Sequence, residues 1–185
     1  MRISQFNIGQ KRVSAIFAHL KNIGMKKITT LLVLFVIAVS SCSKDDNTCA
    51  YSESTIVAPQ SEINAVQAYL ATKGLTATQH PSGFFYSIET PGTGATAGLC
   101  NSVSVLYVGK LTSGTIFDQT TGTAVTFTLG QLIVGWQKGL PLIKPGGKIK
   151  LYIPPSLGYG PNDHPSGKIP GNSILIFDME LVAVG

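Results

Sequence analysis

The residue types that carry covalent or metal chemistry are scattered along this chain. His19, His80 and His164 lie far apart, and none stands at a metal-ligand spacing with cysteine or carboxylate residues. The run Gly92–Gly98 has the wrong glycine spacing for a dinucleotide loop, and no Gly-x-Ser-x-Gly elbow of a hydrolase occurs. The sequence therefore predicts no metal and no cofactor.

Aromatic residues and glycines instead recur in four ordered segments of the C-terminal half. The segments are Tyr107-Val108-Gly109-Lys110 with Gly114 to Asp118, Phe127 to Leu140 around Trp136, Ile153 to Pro170 around Tyr159, and Leu175 to Leu181 around Phe177. Each segment alone is weak evidence, because a single tryptophan between glycines usually belongs to a core. Together, in this order and spacing, they resemble the FKBP family of peptidyl-prolyl cis/trans isomerases from about Gly83 to the C-terminus.

The resemblance implies an apolar pocket that receives a proline ring, with Trp136 as its floor. The catalytic side chains would be Tyr107, Phe117, Asp118, Trp136, Tyr159 and Phe177, and the substrate-binding ones Leu132, Ile133, His164 and Ile169. By the same resemblance, the Tyr159 hydroxyl and the Ile133 backbone N–H would hold substrate carbonyls. Asp118 would lie at the pocket edge as a polar orienter and not as a proton donor.

Such a pocket suits the isomerisation of a prolyl bond. Rotation about this bond meets a barrier of roughly 20 kcal/mol because the planar amide is stabilised by resonance. The twisted transition state has less charge separation than the planar amide, so transfer from water into an apolar cleft favours the transition state. The resemblance therefore implies proline-containing polypeptides as substrates and macrolide inhibitors as a further ligand class.

Some residues of these segments are expected elsewhere or depart from the family pattern. Plain core packing is expected for Phe127, Leu129, Leu151, Met179 and Leu181. Val125 occupies a wall position that is often aromatic in the family, and the stretch from Asp118 to Trp136 is shorter than in the best-known members. No arginine follows Arg12, so the basic partner that many relatives place near the pocket aspartate is absent.

The elements that must position this pocket are short strands. Alternating or β-rich runs occur at Phe84–Ile88, Ser102–Gly109, Thr126–Leu129, Ile149–Ile153 and Ile174–Val182. One brief helix is predicted from Val134 to Leu140, where Pro141 stops it. The predicted fold is therefore α+β, with a curved antiparallel β-sheet wrapped around one short α-helix.

A further helix is predicted before this domain. Ser61 can cap its first turn, and Glu62 suits the positive end of the helix dipole. Gly74 is placed to end the helix in a left-handed conformation. The apolar residues that share one face are Ile63, Val66, Tyr69 and Leu70. The predicted divisions are a signal peptide over residues 1–42, a flexible tether over 43–60, the helix and connector over 61–82, and the isomerase domain over 83–185.

The N-terminus has the features of a secretory signal. Lys26 and Lys27 precede an apolar run from Leu31 to Val39, and this run is about half of the roughly twenty residues that span a bilayer. Val39-Ser40-Ser41-Cys42 resembles the bacterial lipobox, in which the cysteine carries the lipid; a transmembrane anchor is the alternative. Ser43–Asp46 resembles an export tag of some Bacteroidetes lipoproteins, although a solvated linker fits these residues equally well. We expect a lipid-anchored protein of the cell envelope, at the outer membrane.

The charge distribution argues against a nucleic-acid partner despite the net charge of +5. Six of the fourteen basic residues precede Cys42, and no acidic residue does. Residues 43–185 hold eight lysines against nine acidic residues, so the exported part is nearly neutral.

Export also determines how the cysteines are interpreted. With Cys42 lipidated, Cys49 and Cys100 remain as one pair in an oxidising compartment. A disulfide between them is predicted, and closing this loop would add about 4 kcal/mol to stability in the chain-entropy model. The alternative is two free thiols.

Three kinds of protein fit the sequence. The first is an isomerase that acts on exported proteins as they fold. The second is a lipid-tethered binding module with little turnover, and the third is a structural subunit of an envelope complex. The intact set of pocket side chains favours the enzyme.

Overall fold

Residues 49–185 are the part of the chain that the computed structural model describes, and they form one unit. The predicted signal peptide, the lipobox with Cys42 and the proposed export tag at Ser43–Asp46 lie outside the described residues. None of the helices in residues 49–185 has the length and apolarity that a membrane crossing requires.

Two helices and seven strands make up the described unit. They are α1 (Gln60–Thr72), β1 (Thr78–Gln79), β2 (Phe85–Thr90), β3 (Ser102–Leu111), β4 (Ile116–Gln119), β5 (Val125–Thr128), α2 (Val134–Gly139), β6 (Gly147–Ile153) and β7 (Leu175–Val184). The strands form one sheet in the order β1-β2-β6-β7-β3-β4, with β5 also beside β3, and every pair is antiparallel. The predicted α+β class with an antiparallel sheet is confirmed.

The strand β3 is longer than predicted and crosses Gly109 without ending there. A Cβ atom at Gly109 would come within 2.6 Å of the Phe117 ring and 2.9 Å of the Phe177 ring. The glycine is therefore needed to admit two aromatic rings against the strand, and it does not terminate the strand. The prediction that Gly109 ends this run was wrong, because packing rather than turn formation requires the glycine.

The two faces of the sheet have different partners. One row of cross-strand neighbours consists of Gly109, Phe177, Leu151 and Tyr86, and the adjacent row on the other face consists of Lys110, Ile176, Tyr152 and Phe85. Although Phe85, Tyr152 and Ile176 lie on the second face, they are only 5%, 2% and 7% exposed. A second layer must therefore cover that face.

Helix α1 provides this layer. Its Ile63, Val66 and Leu70 are buried, and the Tyr69 ring lies 6.4 Å from the Tyr152 ring of β6. The apolar face predicted from the sequence thus packs on the sheet, on the side away from Phe177.

The ends of α1 agree with the prediction at one terminus only. Gly74 follows the helix with a φ of +62°, as expected for a left-handed C-terminal residue. At the other terminus the cap is Pro59, and no side chain caps the helix, so the prediction that Ser61 is the cap was wrong. The Pro59 carbonyl accepts the N–H groups of Glu62 and Ile63, which starts the helix one residue before Ser61.

Helix α2 lies unusually close to strand β6. Gly135 and Gly139 are four residues apart and therefore share one face of the helix. A Cβ atom on Gly135 would approach Ile153 Cδ1 to 2.5 Å, and one on Gly139 would approach Leu151 Cδ1 to 2.7 Å. These two glycines let the helix backbone rest on the strand, and Trp136 is carried between them.

The stretch before α1 is attached to the domain, although the sequence predicted a flexible tether as far as residue 60. Cys49 and Cys100 are joined by a disulfide with their Cα atoms 5.6 Å apart. The Tyr51 ring lies against the backbone of Gly130, and the Ala58 N–H donates to the Ser82 carbonyl over 2.9 Å. A covalent bond and tertiary contacts therefore hold residues 49–59, which contain no helix or strand before Gln60.

Candidate active site

A cavity of about 140 Å³ opens between β4, β5, α2 and the loop after β6. It is lined by Tyr107, Phe117, Asp118, Phe127, Leu132, Ile133, Trp136, Tyr159 and Phe177. The structure thus brings together all six side chains predicted as catalytic and two of the four predicted as substrate-binding.

The floor of the cavity is a cluster of perpendicular aromatic rings. The Trp136 ring lies 5.1 Å from both the Tyr107 ring and the Phe177 ring, at interplanar angles of 80° and 86°. Phe117 meets Phe177 in the same manner at 5.5 Å. Edge-to-face contacts of this kind fix ring orientation and stabilise the cluster by about 0.5–1.5 kcal/mol per pair. The indole is therefore held rigidly, with only 4% of Trp136 exposed.

The indole N–H is a polar group within this apolar floor. Among the described residues, Trp136 Nε1 is buried and has no hydrogen-bond partner. A buried donor without a partner costs about 1–3 kcal/mol.

Tyr107 and Asp118 form the polar edge of the cavity. The Tyr107 hydroxyl donates a hydrogen bond of 2.6 Å to Asp118 Oδ2. Burial raises the pKa of Tyr107, and the hydrogen bond and negative charge of Asp118 raise it further. The partner of Asp118 is therefore a tyrosine hydroxyl, in a chain that has no arginine after Arg12.

Tyr159 also lines the cavity and is 42% exposed, so its ring remains accessible. Burial raises the pKa of Tyr159, and the nearby charge of Asp118 raises it as well. The loop that carries it is closed by a 2.9 Å hydrogen bond from the Gly160 N–H to the Pro155 carbonyl.

His164 and Ile169 are placed behind Tyr159 and do not line the cavity. The His164 ring packs against the Tyr159 ring at 4.5 Å, and the His164 N–H donates to the Ile169 carbonyl over 2.9 Å. Ile169 is only 5% exposed and belongs to the core. Their contacts support the position of Tyr159, whereas the sequence predicted direct contact with substrate.

Leu132 and Ile133 form the wall at the start of α2. The Gln137 side-chain amide donates to the carbonyls of Gly130 and Leu132 over 3.2 and 2.7 Å, which fixes the turn before the helix. Ile133 is the residue that precedes α2, and its carbonyl accepts the Trp136 N–H. Because it lies at a helix N-terminus, the N–H of Ile133 is not used within the helix.

Phe127 was assigned to plain core packing from the sequence, and the structure corrects this assignment. Its ring lies 6.2 Å from Trp136 and lines the cavity. The reason is that this face of β5 lies against Trp136 and Tyr107, whose rings belong to the cavity floor. Val125, two residues earlier on the same face, is 41% exposed and does not line the cavity. The other four residues assigned to the core are buried, namely Leu129, Leu151, Met179 and Leu181.

Residues 94–182 match the family model described as FKBP-type peptidyl-prolyl cis-trans isomerase. The FkpA isomerase of Aeromonas hydrophila is 41% identical over 124 residues, which is 64% of this chain and 45% of that protein. The outer membrane protein MIP of Legionella longbeachae is 41% identical over 106 residues, covering 56% and 45%. The chain thus spans about half the length of the curated relatives it matches.

Two solved structures are similar along most of their length. A peptidyl-prolyl cis-trans isomerase from Pseudomonas syringae pv. tomato has a TM-score of 0.60 and 32% identity, covering 69% of this chain and 97% of that one. FkpA from Escherichia coli has a TM-score of 0.60 and 30% identity, covering 93% of this chain and 78% of that one.

Proposed function

Because this chain belongs to the FKBP-type peptidyl-prolyl cis-trans isomerase family, we propose that it catalyses rotation about Xaa–Pro bonds in exported polypeptides. The observation that carries the proposal is the cavity of about 140 Å³, walled by aromatic rings and bordered by three polar side chains, Tyr107, Asp118 and Tyr159. The cavity is large enough to hold one side chain. Its walls are apolar, as expected for a site that favours the less polar, twisted amide.

The proposed mechanism is differential binding. A planar prolyl amide loses resonance and charge separation as it twists. An apolar cavity therefore binds the twisted form more tightly than the planar form. The proline ring would lie on Trp136, which the perpendicular rings of Tyr107 and Phe177 hold in place. No covalent intermediate is required.

Two donors would fix the peptide on either side of the rotating bond. We assign the Tyr159 hydroxyl and the Ile133 N–H to substrate carbonyls, because both border the cavity and neither has a role in a helix or strand. Asp118 would hold the Tyr107 hydroxyl and so orient the ring that meets the edge of Trp136.

A protease-coupled assay on Xaa-Pro peptides, together with refolding of a proline-limited protein, tests this function. The Tyr159→Phe variant removes one hydroxyl and keeps the ring. Because a neutral hydrogen bond contributes about 0.5–1.5 kcal/mol, we expect kcat/KM to fall roughly two- to twelve-fold. Asp118→Val should lower it similarly, whereas Trp136→Ala should lower both activity and stability. The matched control is Tyr86→Phe, which lies outside the cavity lining.

Two outcomes would overturn parts of this proposal. Full activity in the Tyr159→Phe, Asp118→Val double variant would refute the assignment of the site. If the wild-type protein leaves several Xaa-Pro peptides at the uncatalysed rate, the chain is a binding module with an FKBP-type fold.

We further propose a lipid anchor at Cys42 that holds the domain at the cell envelope, at the outer membrane. The lipobox-like sequence Val39–Cys42 supports this, and one relative is named as an outer membrane protein. Several acyl chains on one cysteine hold a protein firmly at a bilayer, whereas a single chain holds it weakly. Macrolides that present a proline-like ring are a second ligand class for the same cavity.

The Cys42→Ala variant tests the anchor. The wild-type protein should fractionate with membranes, and the variant should move to the soluble fraction. Unchanged membrane association and unchanged processing of the variant would refute the lipoprotein assignment.

A further inference from the structure

Helix α1 lies outside residues 94–182, the range that matches the family model, yet it makes a direct contact with the candidate site's framework. Glu62 Oε2 accepts two hydrogen bonds from Ser156, one from its backbone N–H at 2.9 Å and one from its hydroxyl at 2.8 Å. The two residues are 94 positions apart in the chain, and the contact is partly buried. Hydrogen bonds to a carboxylate are stronger than neutral ones, particularly where water is partly excluded.

Glu62 reaches Ser156 from a helix that is itself fixed. The neighbouring Ile63 is 6% exposed, and a Cβ atom on Gly83 would lie 2.9 Å from Ile63 Cδ1, so the first turn is in close contact with the chain before β2. One turn later Val66 is fully buried, and Tyr69 meets Tyr152 of β6. The carboxylate is therefore held by a packed element and not by a free end of the chain.

Ser156 lies at the base of the loop that carries Tyr159. It is the middle residue of the 3-10 turn Pro155–Leu157, and the Pro155 carbonyl accepts the N–H groups of both Gly158 and Gly160 at 2.9 Å. Leu157 is fully buried, so the turn has one apolar anchor in the core and one polar anchor on α1. Tyr159 follows this turn by two residues, within the loop that the Gly160–Pro155 hydrogen bond closes.

We propose that Glu62 is a positioning residue for Tyr159, acting through Ser156 across the base of this loop. The inference rests on the proposed isomerase function, since it concerns the Tyr159 hydroxyl as a donor to substrate. The isomerase unit then begins with α1 and not at the start of the family-matched range.

The first experiment compares four variants in the full chain. Glu62→Ala and Ser156→Ala remove the anchor, and we expect kcat/KM for an Xaa-Pro peptide to fall roughly three- to ten-fold, as for coupling through a packed contact. Glu62→Gln keeps the length and an acceptor oxygen and should retain most of the activity. Glu62→Asp keeps the charge but is one methylene shorter, so it should behave like Glu62→Ala.

The decisive experiment repeats Glu62→Ala in the Tyr159→Phe background. If Glu62 acts through the Tyr159 hydroxyl, the second substitution should cause little further loss. A role in stability alone would give losses that multiply, and that result would overturn the proposal. Glu89→Ala, an exposed glutamate on β2, is the control and should leave kcat/KM unchanged.

Failure of the proposed function remains distinguishable from failure of this inference. Trp136 is the single tryptophan of the chain, so its fluorescence reports peptide binding in the cavity without any turnover. If wild-type protein binds an Xaa-Pro peptide but does not isomerise it, the same variants are compared by Kd. A Kd or kcat/KM that is equal for wild type, Glu62→Ala and Ser156→Ala refutes the positioning role.

Discussion

Single residues at the cavity show why its tyrosine hydroxyls stay protonated. Tyr107 and Tyr159 each present a hydroxyl, and Asp118 lies beside one of them. Burial and the Asp118 charge both raise the pKa of each tyrosine, so the neutral donors persist well into alkaline solution.

This protonation behaviour predicts a pH profile. A tyrosine with a raised pKa stays protonated below its ordinary value of about 10 and loses its proton only as the pH rises through the raised value. We therefore expect kcat/KM on a short Xaa-Pro peptide to stay level from about pH 6 to pH 9 and to fall only above pH 10. The measurement is kcat/KM at constant ionic strength, with Tyr86→Phe as the control because Tyr86 lies outside the cavity lining. A fall in kcat/KM between pH 6 and pH 9 would contradict the prediction.

The sequence predicted the residues of this site better than their partners. Trp136, Tyr159 and Phe177 followed from a resemblance in which their spacing is distinctive. The hydrogen bond from Tyr107 to Asp118 was not predicted, because it depends on the register of β3 with β4 and a bulge at Gly109. Phe127 was missed for a different reason: the face of β5 that meets Trp136 depends on tertiary packing, which the sequence pattern does not show.

At the scale of elements, close backbone approach explains several glycines. Gly109 admits two rings beside β3, and Gly135 and Gly139 bring α2 onto β6. In the sequence such glycines are indistinguishable from strand or helix ends, because both uses favour the absence of a side chain. Strand β4 was not predicted, because only Ile116 and Phe117 of its four residues Ile116–Gln119 are strong strand formers.

The helix glycines give a test at this scale. In an isolated helix, Gly→Ala is favourable by about 1 kcal/mol. Here Gly139→Ala would place its methyl carbon 2.7 Å from Leu151 Cδ1, and overpacking costs about 1–3 kcal/mol. We expect Gly139→Ala to lower the free energy of unfolding in urea denaturation, and Gly135→Ala to do the same against Ile153.

Lys138→Ala, on the same helix, is the control for helix propensity and should leave the free energy of unfolding nearly unchanged. An increase in stability for both glycine variants would mean that α2 can move away from β6 without cost.

On the scale of the whole molecule, the disulfide attaches the N-terminal stretch to the sheet. Cys49 and Cys100 are 51 residues apart, and the loop between them contains α1, β1 and β2. Loss of this crosslink raises the conformational entropy of the unfolded chain more than that of the folded one. In the chain-entropy model this lowers the free energy of unfolding by about 4 kcal/mol.

The Cys49→Ser, Cys100→Ser double variant should therefore have a Tm lower by on the order of 10 °C, with a fold that is otherwise retained. Thermal unfolding followed by circular dichroism measures this change. Wild-type protein in reductant should approach the Tm of the variant, and each single variant should match the double one. A Tm that is equal with and without the crosslink would contradict the predicted contribution.

The same crosslink has a mechanical consequence. At the start of β3, Ser102 exchanges backbone hydrogen bonds of 3.0 and 2.9 Å with Gly185, two residues from the bonded Cys100. Tension applied between Cys49 and Gly185 would thus pass through one covalent bond and a few adjacent hydrogen bonds, bypassing the loop that contains α1, β1 and β2. A polypeptide fused after Gly185 would therefore be attached close to Cys49, where the preceding part of the chain joins the domain.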